Sequence, residues 1–224
     1  MAKKSYAVIG LGQFGTAVCE QLIENGADVI AMDMDEERVK HISKKVSTAF
    51  IADATQEDVL NVCEEVIYDT FKTFSDKKIS PAPFKRITYA DAMMKYGSDK
   101  PDLRNPLIIC DLTEFFSDVK FPAFKGRPVR GIVADCRGKS NKFFEDSLKF
   151  ATSAEVGLGG LGYITLKDGV FIGPIAKFLT DEKKAEIKVL TGVKEGETLF
   201  FICDDKKNDA EKKAGHIRSW LAGK

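Results

Sequence analysis

The sequence predicts an α/β chain in which a truncated βαβαβ half of a doubly wound fold is followed by an α+β domain. Three observations predict it. Short, nearly continuous apolar runs alternate with amphipathic helical patterns through about the first sixty residues, as a parallel sheet covered on both faces requires. A glycine turn, Gly10-x-Gly12-x-x-Gly15, stands between the first run and the first helical pattern. Beyond residue 106 the alternation gives way to strands, hairpin signals and short helices.

Tyr6 to Ile9 reads as the first strand, running into the glycines. Phe14, Ala17, Val18 and Leu22 then recur at helical spacing, and Asn25-Gly26 closes that helix. Val29 to Met32 is a second buried strand ended by Asp33. Asp35 followed by Glu36 and Glu37 is an N-cap with acids in the first turn, opening a helix to about Lys45. Thr48 to Ala52 is a third strand, followed by Asp53-Ala54-Thr55. A long helical pattern runs from Gln56 to Phe74 and stops at a charged, Pro-marked turn. The remaining strand–helix units of a full doubly wound sheet do not follow.

Tyr89 to Tyr96 suggests a short helix and Gly97 to Asp102 a polar connector. Strands are then expected at Leu107–Cys110, Val129–Ala134, Tyr163–Leu166, Val170–Ile172 and Leu199–Cys203. Lys167-Asp168-Gly169 reads as a hairpin turn. Phe115–Phe124 is expected as a short amphipathic segment; helices are expected at Lys142–Thr152, Ile175–Leu179, Asp181–Thr191 and Asp209–Leu221. The expected organisation is a nucleotide-type segment over 1–60, a helical linker over 61–106 and an α+β domain over 107–224.

Composition excludes several classes. Lys plus Arg number 34 and Asp plus Glu number 34, for a formal net charge of zero. Residues 1–62 carry six basic and ten acidic residues. Neither half has the concentrated positive charge of an autonomous duplex binder, so RNA contact is expected to be weak. No apolar run reaches the length of a membrane span, and the start shows no secretory hydrophobic region. The expectation is a cytoplasmic protein without membrane insertion. Five scattered cysteines and two distant histidines, His41 and His216, form neither a disulfide framework nor a metal motif. No nucleophile–base constellation appears, so no catalytic residues are expected and the chain reads as a non-enzyme.

The glycine turn carries the most chemistry. Gly10 permits the tight turn, Gly12 lets a pyrophosphate approach the backbone, and Gly15 lets helix and strand pack closely. The helix N-terminus offers free N–H groups and partial positive charge. Asp33, 18 residues after Gly15, is placed to accept hydrogen bonds from ribose hydroxyls. A glycine turn that binds nothing is the alternative.

Ala7 through Gly15, with Asp33 and Asp53-Ala54-Thr55, resemble the regulator-of-potassium-conductance (RCK, or KTN) family over about residues 4–60. The resemblance implies a Rossmann-like fold and a regulatory adenine nucleotide, bound by Gly10, Gly12, Gln13, Phe14, Gly15, Asp33, Asp53, Ala54 and Thr55. It also implies a potassium-transporter membrane subunit as partner. Members can carry Arg where this chain has Gln13, and a neutral amide cannot neutralise a terminal phosphate. NAD or ADP is therefore expected in preference to ATP, with no metal. The missing fourth strand implies an exposed first-strand edge, expected to self-associate or to capture the Leu107–Cys110 strand.

Phe84 to Met93, Lys95 to Arg104 and Gly173-Pro174-Ile175-Ala176-Lys177-Phe178-Leu179 resemble bacterial aspartyl-tRNA synthetase, from about Glu57 to Gly223. The last string resembles its GAD domain. The family's ATP- and aspartate-binding motifs have no counterpart here, which implies an accessory fragment, facing tRNA or protein, without aminoacylation. Gly97–Arg104 is a relic connector or a residual binding turn. The whole reads as a fusion of two families.

Three further features read as structural. Gly157 to Gly162 follows a helix and precedes a strand, the reverse of the order that aims N–H groups at phosphate. Asp204 to Asp209 reads as a solvated turn, and Lys177 as a surface lysine in preference to an RNA contact. His216, among Lys212, Lys213 and Arg218, reads as part of a solvated face.

Overall fold

The computed structural model describes residues 4–53 and 57–223. The chain divides into two compact units, Met1–Arg86 and Ile87–Lys224. No described helix is long and apolar enough to cross a membrane.

The first unit runs β1 (Ser5–Ile9), α1 (Gln13–Glu24), β2 (Asp28–Asp33), α2 (Glu36–Ser43), β3 (Thr48–Ile51) and α3 (Glu57–Phe74). The three strands are parallel in the order β1-β2-β3. Tyr6 pairs with Val29, Val8 with Ala31, and Ala31 with Ala49, so strand alternation sends Val29 and Ala31 to one face. There they are buried with Leu11, Cys19, Val39 and Ile42 beneath the first two helices. The other face presents Ile9, Ile30 and Phe50 toward Val66 and Ile67 of α3, around an apolar cavity of 700 Å³. Buried Glu64 holds the returning chain to α3, accepting the Phe84 N–H and pairing with Arg86 at 3.0 Å.

The second unit contains α4 (Tyr89–Tyr96), β4 (Ile109–Asp111), β5 (Val129–Asp135), α5 (Asn141–Ala151), β6 (Gly162–Lys167), β7 (Val170–Ile172), α6 (Asp181–Thr191), β8 (Glu197–Cys203) and α7 (Lys207–Ala222). Its five strands form an antiparallel sheet in the order β4-β5-β8-β6-β7. Alternation along β8 divides two cores. Phe200 and Ile202 join Ala151, Ala214, Ile217 and Leu221 on the side of α5 and α7. Leu199 and Phe201 join Leu112, Phe116, Phe124 and Ile187 on the other.

Local chemistry explains the boundaries. Thr88 caps α4 by accepting the Asp91 N–H, and Gly97 ends it at φ 70°. Thr180 and Gly192 do the same for α6. Asp168 and Gly169, at φ 52° and 75°, supply the paired left-handed residues of a tight hairpin turn.

Three segments depart from, or sharpen, their expected form. Residues 115–124 form successive turns, amphipathic in that Phe115, Phe116, Val119 and Phe124 are buried while Ser117, Asp118 and Lys120 are exposed. Phe116 sits edge-on to Phe115, Phe124 and Phe201 at centroid distances of 4.9, 4.8 and 5.3 Å, and this aromatic packing holds the turns together. Ile175–Leu179 shrinks to a single 3-10 turn, Ala176–Phe178. Residues 204–209 are not merely a solvated turn: α7 begins at Lys207, and Asp204 pairs with Lys213 at 2.6 Å.

Candidate functional site

The glycine loop joins β1 to α1 at the carboxyl edge of the parallel sheet. Gly10 takes φ +90°, a conformation that disfavours side chains. Its N–H donates to the Met32 carbonyl at 2.8 Å, continuing the strand pairing into the loop. Leu11 points inward and is buried in the core. Gly12 is the N-cap of α1 in an extended conformation, and its carbonyl accepts the Thr16 N–H at 3.0 Å. The Thr16 hydroxyl donates back to the Leu11 carbonyl at 3.0 Å.

What distinguishes this helix start is what it lacks. No side chain caps α1 and no acid occupies its first turn. By contrast, the Asp35 carboxylate caps α2 by accepting from Glu37 and Arg38, with Glu36 and Glu37 behind it. The first-turn N–H groups of α1 therefore keep their positive end of the dipole uncompensated. A Cβ added at Gly12 would meet nothing within 4 Å, whereas one at Gly15 would lie 1.8 Å from the Gly10 carbonyl oxygen. The space before Gly12 is open; Gly15 is needed for the fold itself. Gln13 and Phe14 are exposed at the rim.

Asp33 ends β2 and is only 7% exposed. One carboxylate oxygen accepts the Leu11 N–H, the other the Asp35 N–H at 2.8 Å. Arg38, which nothing in the sequence marked, stands 3.8 Å away. The backbone N–H groups of Asp35 and then Leu11 hold the carboxyl below its ordinary value. Asp33 thus ties the glycine loop down to the end of β2.

A depressed folded-state pKa contributes stability above the unfolded value, near 3.9, that is lost as pH falls through the folded value. Asp33→Asn should therefore destabilise the first unit by about 1–3 kcal/mol at pH 7. It should also flatten that unit's loss of stability below about pH 4. Hydrogen exchange of peptides from residues 5–33 checks both effects.

Ala52 N–H donates to the Asp33 carbonyl at 3.0 Å, which brings the end of β3 beside the end of β2. Half-buried Asp53 follows directly. Gly10, Gly12, Gly15, Asp33 and Asp53 thus gather along one edge of the sheet, where open α/β sheets place their ligands. Ala54 and Thr55 lie outside the described residues.

In the second unit, two arginines are buried, one of them, Arg218, on a face the sequence reading took as solvated. Arg130, 1% exposed, donates to Glu211 at 3.1 Å and to Asp111 at 2.8 Å, linking β5 to α7. Arg218, 2% exposed, donates to the carbonyls of Leu107, Asp102 and Asn105. Net charge along α7 gave no sign of which cations turn inward. Cys110 is a core thiol, pushed up to about 11 by burial. Gly157 takes φ +67°, and a Cβ on Gly162 would lie 2.9 Å from Ile175, so these two glycines serve turning and packing.

Comparison with known proteins finds two different families along the chain. Residues 6–65 match the TrkA-N domain, and residues 122–213 match the GAD domain. Over 175 residues, 75% of this chain, it is 45% identical to the aspartate–tRNA(Asp/Asn) ligase of Rickettsia bellii (strain OSU 85-389). Over 174 residues it is 47% identical to the corresponding ligase of Wolbachia pipientis subsp. Culex pipiens (strain wPip). The chain spans only 29% and 28% of the length of those two relatives. The chain therefore carries a TrkA-N domain followed by a GAD domain within a stretch similar to aspartate–tRNA ligases, consistent with a fusion of the two.

Proposed function

We propose that the first unit is a non-enzymatic, regulatory adenine-nucleotide module taking NAD or ADP. One observation carries the reading: an uncapped helix N-terminus stands behind Gly12 with open space before it, and Asp33 and Asp53 flank it. The match of residues 6–65 to the TrkA-N domain supports it. The N–H groups of Gln13, Phe14 and Gly15 would hold a phosphate, and the Asp33 carboxylate would take ribose hydroxyls. A cation able to meet a terminal phosphate is missing at Gln13, which favours NAD or ADP over ATP.

Titration calorimetry of the full chain with NAD, NADH, ADP and ATP tests this. Saturable binding is expected, weakened at least about tenfold by Gly12→Val with the melting curve unchanged. No binding of any nucleotide at millimolar concentration would overturn it.

Nucleotide occupancy would bias a partner. By the resemblance to potassium-transport regulators, this chain works in the cytoplasm and its partner is a transporter membrane subunit. The strand order leaves β1 at an edge with Ser5, Tyr6 and Ala7 exposed, and such edges recruit strands. Self-association of the full chain through β1 is expected, and sedimentation showing a monomer at all concentrations contradicts it. A second reading, favoured by the 75% of the chain similar to aspartate–tRNA ligases, is a GAD accessory fragment facing tRNA or protein without aminoacylation.

A further inference from the structure

The segment 97–106 does not lie loose. It folds onto α7 and encloses, with that helix, a cavity of 820 Å³. The close approach depends on two glycines: a Cβ at Gly97 would stand 2.5 Å from Gly215 Cα, and one at Gly215 would stand 2.6 Å from the Gly97 carbonyl oxygen. Lys212, His216 and Ser219 recur along α7 at helical spacing and line one wall; Lys100 and Arg104 line the other.

Arg218 sits in the same lining, fixed by its three carbonyl contacts at 2.6, 3.1 and 2.7 Å and with its guanidinium 5.0 Å from the centre of the Tyr96 ring. Among the described residues no carboxylate lies within 4.0 Å of it. Burial pushes its guanidinium below the usual value. Its direct hydrogen-bond partners are carbonyl dipoles, with Asp102 acting on it only from beyond 4.0 Å, and a buried cation so placed gains from an anion that completes it. The local acids already serve other cations. Asp102 is held by Arg104 at 2.7 Å, Asp99 by Lys100 at 2.6 Å, and Glu155 lies 3.8 Å from His216. Exposed Lys212 has no carboxylate partner among the described residues.

We infer that this cavity between the 97–106 segment and α7 is a phosphoryl-group binding site, separate from the glycine loop. A tetrahedral oxyanion fits the chemistry: one preorganised guanidinium, the ammonium of Lys212 and the Ser219 hydroxyl line a space large enough for a phosphorylated ligand. The phosphoryl group belongs either to a small phosphate ester or to a polynucleotide backbone. The site reaches beyond the proposed nucleotide module and stands without it.

The experiment is a titration of the full, isotope-labelled chain with inorganic phosphate at fixed pH and ionic strength, followed at the Gly215 amide and the His216 ring. Saturable shifts are expected, weakened about tenfold by Lys212→Glu and unaffected by Gly12→Val. Lys212 is exposed and unpaired, so its variant keeps the fold, which the tryptophan signal of Trp220 verifies. Parallel titrations with ADP and with a short single-stranded RNA separate the sources. RNA binding much tighter than phosphate and sensitive to Lys212→Glu identifies a backbone; ADP alone gaining affinity identifies a small ester. Absence of saturable shifts at Gly215 and His216, or shifts indifferent to Lys212→Glu, overturns the site.

Discussion

Replacing Gly15 with alanine is expected to unfold the first unit and leave the second intact. The added Cβ would lie 1.8 Å from the Gly10 carbonyl oxygen, and that oxygen belongs to backbone with no side-chain freedom to yield. Gly10 cannot retreat, because its N–H is bonded to Met32 and its φ of +90° is already special. Relief requires α1 to lift from the sheet, withdrawing Cys19 and Leu22 from a core that has six buried members among the described residues. Overpacking of this kind costs about 3 kcal/mol or more, a large part of what so small a unit possesses. Hydrogen exchange should show peptides from residues 5–33 losing protection while those from 197–222 keep theirs. Gly12→Ala supplies the contrast. Its backbone is at φ −63° and the new methyl meets nothing within 4 Å, so stability should change by no more than about 0.5 kcal/mol.

Arg130→Met is expected to destabilise the second unit by about 3–5 kcal/mol. The loss leaves Glu211, itself 4% exposed, with only Lys207 at the 4.0 Å limit for compensation. Arg130 also satisfies Asp111 and the Thr113 hydroxyl, at 2.8 and 3.1 Å, so β4, β5 and α7 loosen together. Adding Glu211→Leu should recover most of the loss, since removing both charges avoids the unpaired buried one. Urea unfolding followed by Trp220, which stacks on Phe150 at 5.8 Å, measures the cycle. Equal destabilisation in the double and single variants would show that the ion pair is not what couples the sheet to the helix.

Local chemistry was legible in the sequence wherever it alone sets the outcome. The helices Tyr89–Tyr96 and Asp181–Thr191 form over the residues expected, closed by Thr88 with Gly97 and by Thr180 with Gly192. The parallel first sheet followed from apolar alternation, and the open face of Gly12 from the position of the glycines between strand and helix. What escaped the sequence depends on partners far along the chain. The buried role of Asp33 rests on a hydrogen bond from Leu11, 22 residues away, which no periodicity announces. Arg218 reaches carbonyls more than a hundred residues earlier, while its neighbours Lys212 and His216 face outward. Charge patterning treats all three alike. The turn structure of 115–124 escaped for a related reason: the ring contacts that hold it reach Phe201, far along the chain.

The central claim is that the uncapped start of α1 receives a nucleotide phosphate. Following the backbone amide resonances of Gln13, Phe14 and Gly15 while ADP or NAD is added to the full chain tests it most directly. The account predicts saturable shifts at those three amides, abolished by Gly12→Val. Amides that stay still to millimolar nucleotide in a folded first unit would contradict it.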